Sequence, residues 1–217
     1  MGILERLLRS RAFVLALIVL PGLWPAWPIL GGNPTVLADP SKFLLHHFGF
    51  VACILLAVVL SLSPLRILFP KSRLVSALNR YRRTVGVSAF FYALIHLGFQ
   101  LIHENGWPTF WTDLRKPFLL VGVTTFAILL VLAATSFNAA VRWMGGRRWK
   151  NLHRLAYLAA ALAAYHQAAA RKIFPVQVLW IFVPLAALEL ARAVIQARNR
   201  RGGQVPRSPL KIPARGA

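Results

Sequence analysis

The 217-residue sequence contains a single cysteine, Cys53, and none of the short motifs that mark common soluble catalysts. One thiol excludes an intramolecular disulfide and cannot supply the four thiolates of an iron–sulfur cluster. No Cys-x-x-Cys-His run is present, which excludes covalent haem attachment through thioether links. There is no Gly-x-Ser-x-Gly, phosphate loop or dinucleotide fingerprint either. Cys53 is therefore expected to be a small buried apolar residue.

Acidic residues are scarce as well, because five Asp and Glu stand against 26 Lys and Arg, which gives a net charge of +21. In a soluble protein this excess would suggest a nucleic-acid partner. Here the basic residues are spread over four short segments with no recognisable nucleic-acid-binding fold, so no nucleic acid is expected as a partner. The composition is 58% hydrophobic, and nearly all of the charge lies between apolar blocks. This pattern indicates an integral protein of the lipid bilayer.

Six apolar blocks are long enough to cross a bilayer. A spanning helix needs about 20 apolar residues, because the hydrocarbon core is about 30 Å thick and a helix rises about 1.5 Å per residue. Unpaired backbone groups cannot be left in lipid, so these blocks are expected to be helices. They cover residues 12–30, 43–62, 84–102, 118–137, 152–170 and 173–195. The predicted fold is an all-α membrane protein, with a six-transmembrane-helix bundle over 12–197, an N-terminal segment 1–11 and a basic, disordered tail over 198–217.

The basic residues also predict the orientation of the chain in the membrane. If the N-terminus is inside, 21 of the 26 Lys and Arg lie in cytoplasmic segments. The other side keeps only Lys42, Arg115, Lys116, Arg171 and Lys172. This excess is the positive-inside pattern, and it places both termini in the cytoplasm.

The first apolar block has an alternative interpretation as a cleaved signal sequence. It follows a basic start, and Val36-Leu37-Ala38 would be its small-residue cleavage site. The apolar run is long for a signal core, and Pro21, Pro25 and Pro28 suggest a kinked span of the kind that membrane bundles tolerate. We therefore favour a span.

Three histidines, His96, His153 and His166, lie inside these apolar blocks. An ionisable side chain in a spanning helix is uncommon and marks a candidate functional site. Haem iron in a membrane bundle needs imidazole nitrogens from facing helices, so we interpret these residues as candidate haem ligands. For any one of them, a hydrogen bond to a neighbouring helix is the structural alternative.

Depth along the helices selects a pair of histidines. Measured from the inner helix ends, His96 lies about 18 Å into the bilayer, His166 about 24 Å and His153 about 5 Å. His96 and His166 are therefore the better-matched pair for one iron, in the outer half of the bilayer. His153 would lie near the inner surface, where it could ligate a second haem, contact a flavin or quinone, or face the headgroups. On one ideal helix His153 and His166 are about 220° apart, which argues against two haems stacked along that helix.

The other histidines are weaker candidates. His46 and His47 lie at the outer mouth of the second block, followed by Gly49. We expect an interfacial structural role for both, with close helix approach or a cofactor edge as the alternative. His103 lies at the outer end of the third block beside Glu104 and is expected to be solvated.

Several runs are specific enough to indicate a family. They are Arg82-Arg83-x-x-Gly86, Phe90-Phe91-Tyr92-Ala93-Leu94-Ile95-His96-Leu97, Lys116-Pro117-Phe118, Ala134-Thr135-Ser136 and Gly146-Arg147-Arg148-Trp149-Lys150-x-Leu152-His153-Arg154-Leu155, followed by His166. In these runs the chain closely resembles the MsrQ family, also called YedZ. These are haem-binding membrane subunits of the MsrPQ protein-methionine-sulfoxide reductase systems, within the ferric-reductase-like transmembrane group. The resemblance covers most of the chain. It departs from the family pattern at Gln167, where an aromatic residue is usual, and in the long basic tail.

The resemblance implies six helices, haem b and FMN, with His96, His153 and His166 as haem ligands. Basic residues at the inner face are candidates for binding the haem propionates or an FMN phosphate, because arginine is permanently charged and makes bidentate contacts. Their alternative role is to determine topology. They are Arg82, Arg83, Arg147, Arg148 and Lys150.

The function implied by the resemblance is electron transfer in the bacterial inner membrane. Quinol would be oxidised, and electrons would pass through flavin and haem to MsrP, a periplasmic molybdopterin methionine sulfoxide reductase, in a heterodimer. The chain would be a non-catalytic subunit that supports repair of oxidised periplasmic proteins. Two rival classes stay open. The first is a haem b ferric reductase, or a cytochrome b anchor of another oxidoreductase. The second is a transporter or scaffold with structural histidines.

Overall fold

The computed structural model describes residues 6–8, 10–103, 106–171 and 174–202, with side chains up to Arg200. In this part of the chain the regular secondary structure is helical throughout. The helices in chain order are α1 (Arg11–Leu23), α2 (Ala26–Leu30), α3 (Pro34–Leu37), α4 (Pro40–Leu68), α5 (Arg73–Arg80), α6 (Arg82–His103), α7 (Trp107–Asp113), α8 (Pro117–Ala134), α9 (Asn138–Met144), α10 (Gly146–His153), α11 (Leu155–Ala169) and α12 (Gln177–Gly202). The all-α prediction is confirmed.

Among the described residues, four helices are long and apolar enough to cross a membrane, namely α4, α6, α8 and α12. Large apolar side chains on their outer faces, such as Trp180 and Leu190, are exposed, as lipid contact requires. The first predicted block forms two helices, α1 and α2, which are separated at Trp24 and Pro25. The fifth predicted block contains α11, which has only 15 residues. The chain is thus a membrane protein with several apolar helices. The count of six spans stays a prediction.

The fifth block differs from its prediction in one respect that matters for function. The sequence predicts a single helix carrying both His153 and His166. In the structure α10 ends at His153 and α11 begins at Leu155. The amide of Arg154, between them, bonds to the carbonyl of Asn151, three residues back, which interrupts the regular four-residue ladder. The two histidines therefore lie on separate helices, and the prediction of one helix for both is wrong.

The central helix of the bundle is α4. It packs most extensively against α6 and also contacts α1, α5, α11 and α12, while α8 packs against α11 and α6. Small residues lie at the crossings, where Ala89 on α6 and Ala159 on α11 are completely buried. Small side chains let membrane helices approach closely enough for dispersion and hydrogen bonds to hold them together.

Two polar contacts attach α1 to the bundle. The hydroxyl of Tyr92 donates to the carbonyl of Ile18 at 2.7 Å, and Nε2 of His47 donates to the carbonyl of Pro21 at 2.7 Å. The second contact has a simple cause. Residue 25, which would normally bond to the carbonyl of Pro21, is itself a proline and has no N–H. The structural role expected for His47 is therefore confirmed.

Connections between the helices are short, and the one between α9 and α10 is Gly145, whose φ of 75° favours glycine. α12 continues to Gly202, so residues 198–202 of the predicted tail are helical rather than disordered. The predictions for Glu104, Lys172 and the tail 203–217 lie outside the described residues.

Candidate functional site

A cavity of about 480 Å³ lies among α4, α6, α8 and α11. Along α4 its lining extends from Lys42 to Leu56, or about 21 Å of helix. Cofactor sites typically enclose about 300–1,000 Å³. We call one end of the bundle the Lys42 end, where α4 and α8 begin and α6 and α11 end. The opposite end, where α6 begins, is the Arg82 end.

The cavity brings two of the predicted histidines together. His96 from α6 and His166 from α11 line it, with ring centroids 6.1 Å apart and ring planes at 83°. Two imidazoles that share one metal ion need about this separation, because the metal–nitrogen bond is about 2 Å and the ring centre lies about 1 Å behind the nitrogen. The geometry matches the pairing that helix depth predicts. Haem ligation itself stays a prediction.

Hydrogen bonds fix the tautomer of both rings. Nδ1 of His96 lies 2.8 Å from the carbonyl oxygen of Leu45, and Nδ1 of His166 lies 2.7 Å from that of Phe118. A carbonyl only accepts, so each Nδ1 carries the hydrogen and donates it. Nε2 of each ring then keeps its free electron pair, which a metal ligand requires. A backbone carbonyl bound to the other ring nitrogen is also the usual support of a metal-ligating histidine.

Two glycines make these hydrogen bonds possible. In a helix the carbonyl of residue i faces residue i+4, so a side chain at i+4 shields it. Gly49 and Gly122 each lie four residues after the carbonyl that their histidine contacts. A Cβ on Gly49 would lie 2.7 Å from Nδ1 of His96, and one on Gly122 would lie 2.6 Å from Cε1 of His166. Neither separation is sterically possible, so each ring rests against backbone that only glycine exposes.

The character of the cavity wall changes along its length. The wall far from the Lys42 end is apolar and includes Cys53, Leu56, Phe126 and Leu129. The Lys42 end, which forms the mouth, carries the basic side chains Lys42, His46, His103 and Arg171. The cavity therefore suits an apolar group that has an anionic edge at the mouth and accepts ligands from two imidazoles. Haem has these properties.

Comparisons with known proteins agree with this geometry. The family described as ferric reductase like transmembrane component matches residues 48–164. A protein of Brucella anthropi named protein-methionine-sulfoxide reductase heme-binding subunit MsrQ is 34% identical over 206 residues, which cover 87% of this chain and 91% of that protein. The chain belongs to the MsrQ family. Proteins of the same name from Brucella ovis and Brucella abortus are 35% identical over 198 residues, which cover 82% of this chain and 87% of each relative.

The third histidine of the MsrQ-family motif, His153, lies outside the cavity. Its Nε2 is 3.1 Å from the hydroxyl of Thr135, and its ring stacks on Trp149 at 4.0 Å between centroids. The Thr135 hydroxyl already donates to the carbonyl of Val131, so it accepts from His153. Nε2 of His153 is thus a hydrogen-bond donor here. Among the described residues, no three His, Cys, Asp or Glu side chains form a metal-binding group.

The five basic candidates for propionate or phosphate binding do not line the histidine cavity. At the Arg82 end, Arg82 donates to the hydroxyl of Ser63 and Arg83 to the side-chain oxygen of Asn138, both at 2.6 Å. The other three are exposed on α10, and they are Arg147, Arg148 and Lys150. A role for any of the five in this cavity is therefore not supported.

At the mouth, a small polar group surrounds the start of α4. Asp39 caps this helix, because its carboxylate accepts from the amide of Lys42 at 3.0 Å. That hydrogen bond lowers the pKa of Asp39 from its usual value. Nδ1 of His103 lies 3.8 Å from the same carboxylate and 3.4 Å from the hydroxyl of Ser41. His103 therefore contacts protein groups as well as solvent.

Three residues of the site have roles that the sequence does not reveal directly. Lys42 and Arg171 stand out only as outer charges, and Gly122 is one apolar-block glycine among several. One sequence pattern does indicate the role of Gly122. The four-residue spacing from Leu45 to Gly49 repeats from Phe118 to Gly122, on the two helices that face the histidines.

Proposed function

We propose that the chain is the membrane electron-transfer subunit of a protein-methionine-sulfoxide reductase system, with haem b held by His96 and His166. Electrons would come from membrane quinol and leave to a periplasmic molybdopterin reductase. The pairing of His96 and His166 in one cavity, with both Nε2 atoms free to ligate, carries this proposal. The names of the relatives describe heme-binding subunits of the same reductase class.

The residues of the cavity fit the group, and each has a distinct task. When bound, haem supplies a one-electron carrier whose potential depends on axial ligation, burial and the hydrogen bonds of the ligands. The carbonyls of Leu45 and Phe118 hold the two rings and raise their basicity as ligands. Lys42 and Arg171 at the mouth would pair with the propionate carboxylates of the haem.

The polarity of the cavity supports an outward direction of electron flow. The basic mouth is at the Lys42 end, and the distribution of Lys and Arg predicts that this end faces the periplasm. A carrier seated near this mouth lies close to a partner outside. FMN stays a prediction from the resemblance, and we derive no step through it. Its five candidate basic side chains line neither the histidine cavity nor the cavity between Arg11 and Arg80.

The proposed orientation can be tested with reporter fusions. A reporter fused after Arg201 should be active on the cytoplasmic side, and one inserted in the Gly106 to Asp113 segment should be active on the periplasmic side. The reason is that 21 of the 26 Lys and Arg lie on the inner side in this orientation. Paired reporters, one active only in each compartment, provide the control. The opposite pattern would reverse the direction of electron flow.

A second test asks whether the chain needs a separate reductase to reduce methionine sulfoxide. Purified protein given a reduced quinol analogue and a methionine sulfoxide substrate should show haem reduction without substrate turnover. We expect turnover only after a separate periplasmic reductase is added, and the His166→Ala variant should not support it. Robust turnover by the chain alone would contradict the proposal and favour a self-sufficient reductase.

A further inference from the structure

A second cavity, of about 370 Å³, lies at the Arg82 end, away from the histidines. It is formed where the start of α1 meets the junction between α5 and α6. Arg11, Arg80 and Thr84 supply its polar wall, together with Tyr81, and Val14 and Leu15 of α1 supply its apolar wall. Nothing in the proposed electron path uses this cavity.

The charge of the cavity favours an anion. Both guanidinium groups are exposed, and two like charges that line one cavity repel each other unless an anion lies between them. In the described part of the chain, no acidic side chain is available to act as this anion. The three that are described, Asp39, Asp113 and Glu189, are all paired with other side chains.

The start of α6 adds further hydrogen-bond donors. The first hydrogen bond along this helix joins the amide of Val85 to the carbonyl of Tyr81 at 2.9 Å. The amides before Val85 have no partner within the helix and carry its positive dipole end. The hydroxyl of Thr84 lies in the same turn. Helix amides, a hydroxyl and guanidinium groups are the donors that phosphate oxygens accept from.

The apolar wall narrows the choice of ligand. Val14 is buried, whereas Leu15 is 48% exposed on the surface of α1, which is an apolar helix. A ligand here would have its phosphate between the two arginines and its apolar part along α1. We propose that this cavity binds the phosphate ester of an anionic phospholipid at the inner membrane surface.

The test compares two pairs of substitutions with the same change in charge. One variant is Arg11→Gln with Arg80→Gln, and the control is Arg66→Gln with Arg142→Gln, two exposed arginines outside the cavity. Full-length protein would be reconstituted with phosphatidylglycerol or phosphatidylcholine, partly delipidated and examined by native mass spectrometry. We expect wild type and control to retain phosphatidylglycerol in preference to phosphatidylcholine. The cavity variant should bind it at least about tenfold more weakly, because it loses two charge-assisted hydrogen bonds.

A second arm distinguishes the two sources of phosphate. FMN, a free phosphate monoester, would be titrated by fluorescence against the same proteins in lipid-free detergent. Unchanged FMN binding together with lost phosphatidylglycerol retention supports the lipid assignment. Weakened FMN binding with unchanged lipid retention would overturn it in favour of the free monoester. Equal lipid retention by the cavity and control variants would overturn the site. The absorption spectrum of the haem, unchanged in every variant, verifies folding.

Discussion

Replacing His96 or His166 with alanine is expected to abolish b-type haem absorption in the purified protein. Each residue offers one unprotonated Nε2 to the cavity, and the two rings are 6.1 Å apart. Loss of either would leave the haem iron with only one of its two proposed imidazole ligands. Removing even a supporting hydrogen bond of a metal ligand typically costs about 10–100-fold in affinity, so removing the ligand itself should leave little bound haem. The measurement is the Soret absorbance per milligram of folded protein, with haem quantitation.

His47→Ala is the matched control, because His47 is a half-buried histidine whose Nε2 bonds to the carbonyl of Pro21 outside the cavity. We expect that variant to keep its haem and to lose about 1 kcal/mol of stability. His153→Ala should have a weaker effect than either cavity substitution, since His153 donates to Thr135. Replacing His96 with glycine should allow added imidazole to restore part of the absorption. Full Soret absorbance in both His96→Ala and His166→Ala would contradict the assignment.

Gly122→Ala and Gly49→Ala are expected to remove most of the haem although they leave both histidines in place. The added methyl group would lie 2.6 Å from His166 or 2.7 Å from His96, so the ring must leave its carbonyl. Overpacking of this kind costs about 1–3 kcal/mol, and the gain in helix propensity from glycine to alanine is at most about 1 kcal/mol. The cost of overpacking therefore exceeds the gain in helix propensity. Haem content and the reduced-minus-oxidised spectrum would report the loss.

Two other glycines separate this effect from general destabilisation. Gly98, on the same helix as His96, has open space around its Cβ position, so Gly98→Ala should keep the haem and its thermal stability. A Cβ on Gly22 would lie 2.6 Å from the Tyr92 hydroxyl, outside the cavity. Gly22→Ala should therefore lower thermal stability and retain haem. If Gly122→Ala and Gly98→Ala bound haem equally well, the proposed seating of His166 would be wrong.

The sequence predicts the class of the fold and the pairing of the histidines for a physical reason. Hydrophobic length and the position of charges are local properties, and depth along a helix follows from residue counting. Counting residues from the helix ends is therefore enough to match His96 with His166. The break at Arg154 could not be predicted in this way, because no glycine or proline lies in residues 152–155 to mark it.

The basic residues at the mouth of the cavity could not be predicted from the sequence either. Arg82 and Arg83 are candidate cofactor-binding residues because they belong to a specific motif, and in the structure they bond to Ser63 and Asn138, outside the histidine cavity. Arg171 belongs to none of the family motifs but lines the histidine cavity. Which charge meets which cavity depends on how helices from distant parts of the chain pack, and one-dimensional spacing does not encode that packing.

The most direct test of the central claim is the spectrum and haem content of the purified wild-type protein. We predict one non-covalent b-type haem per chain with two imidazole ligands, seen as a low-spin spectrum in both oxidation states. In the described part of the chain the cavity pairs the rings of His96 and His166, and His153 lies outside it. A folded, membrane-inserted protein without haem, even after expression with excess haem, would contradict the account and favour a transporter or scaffold with structural histidines.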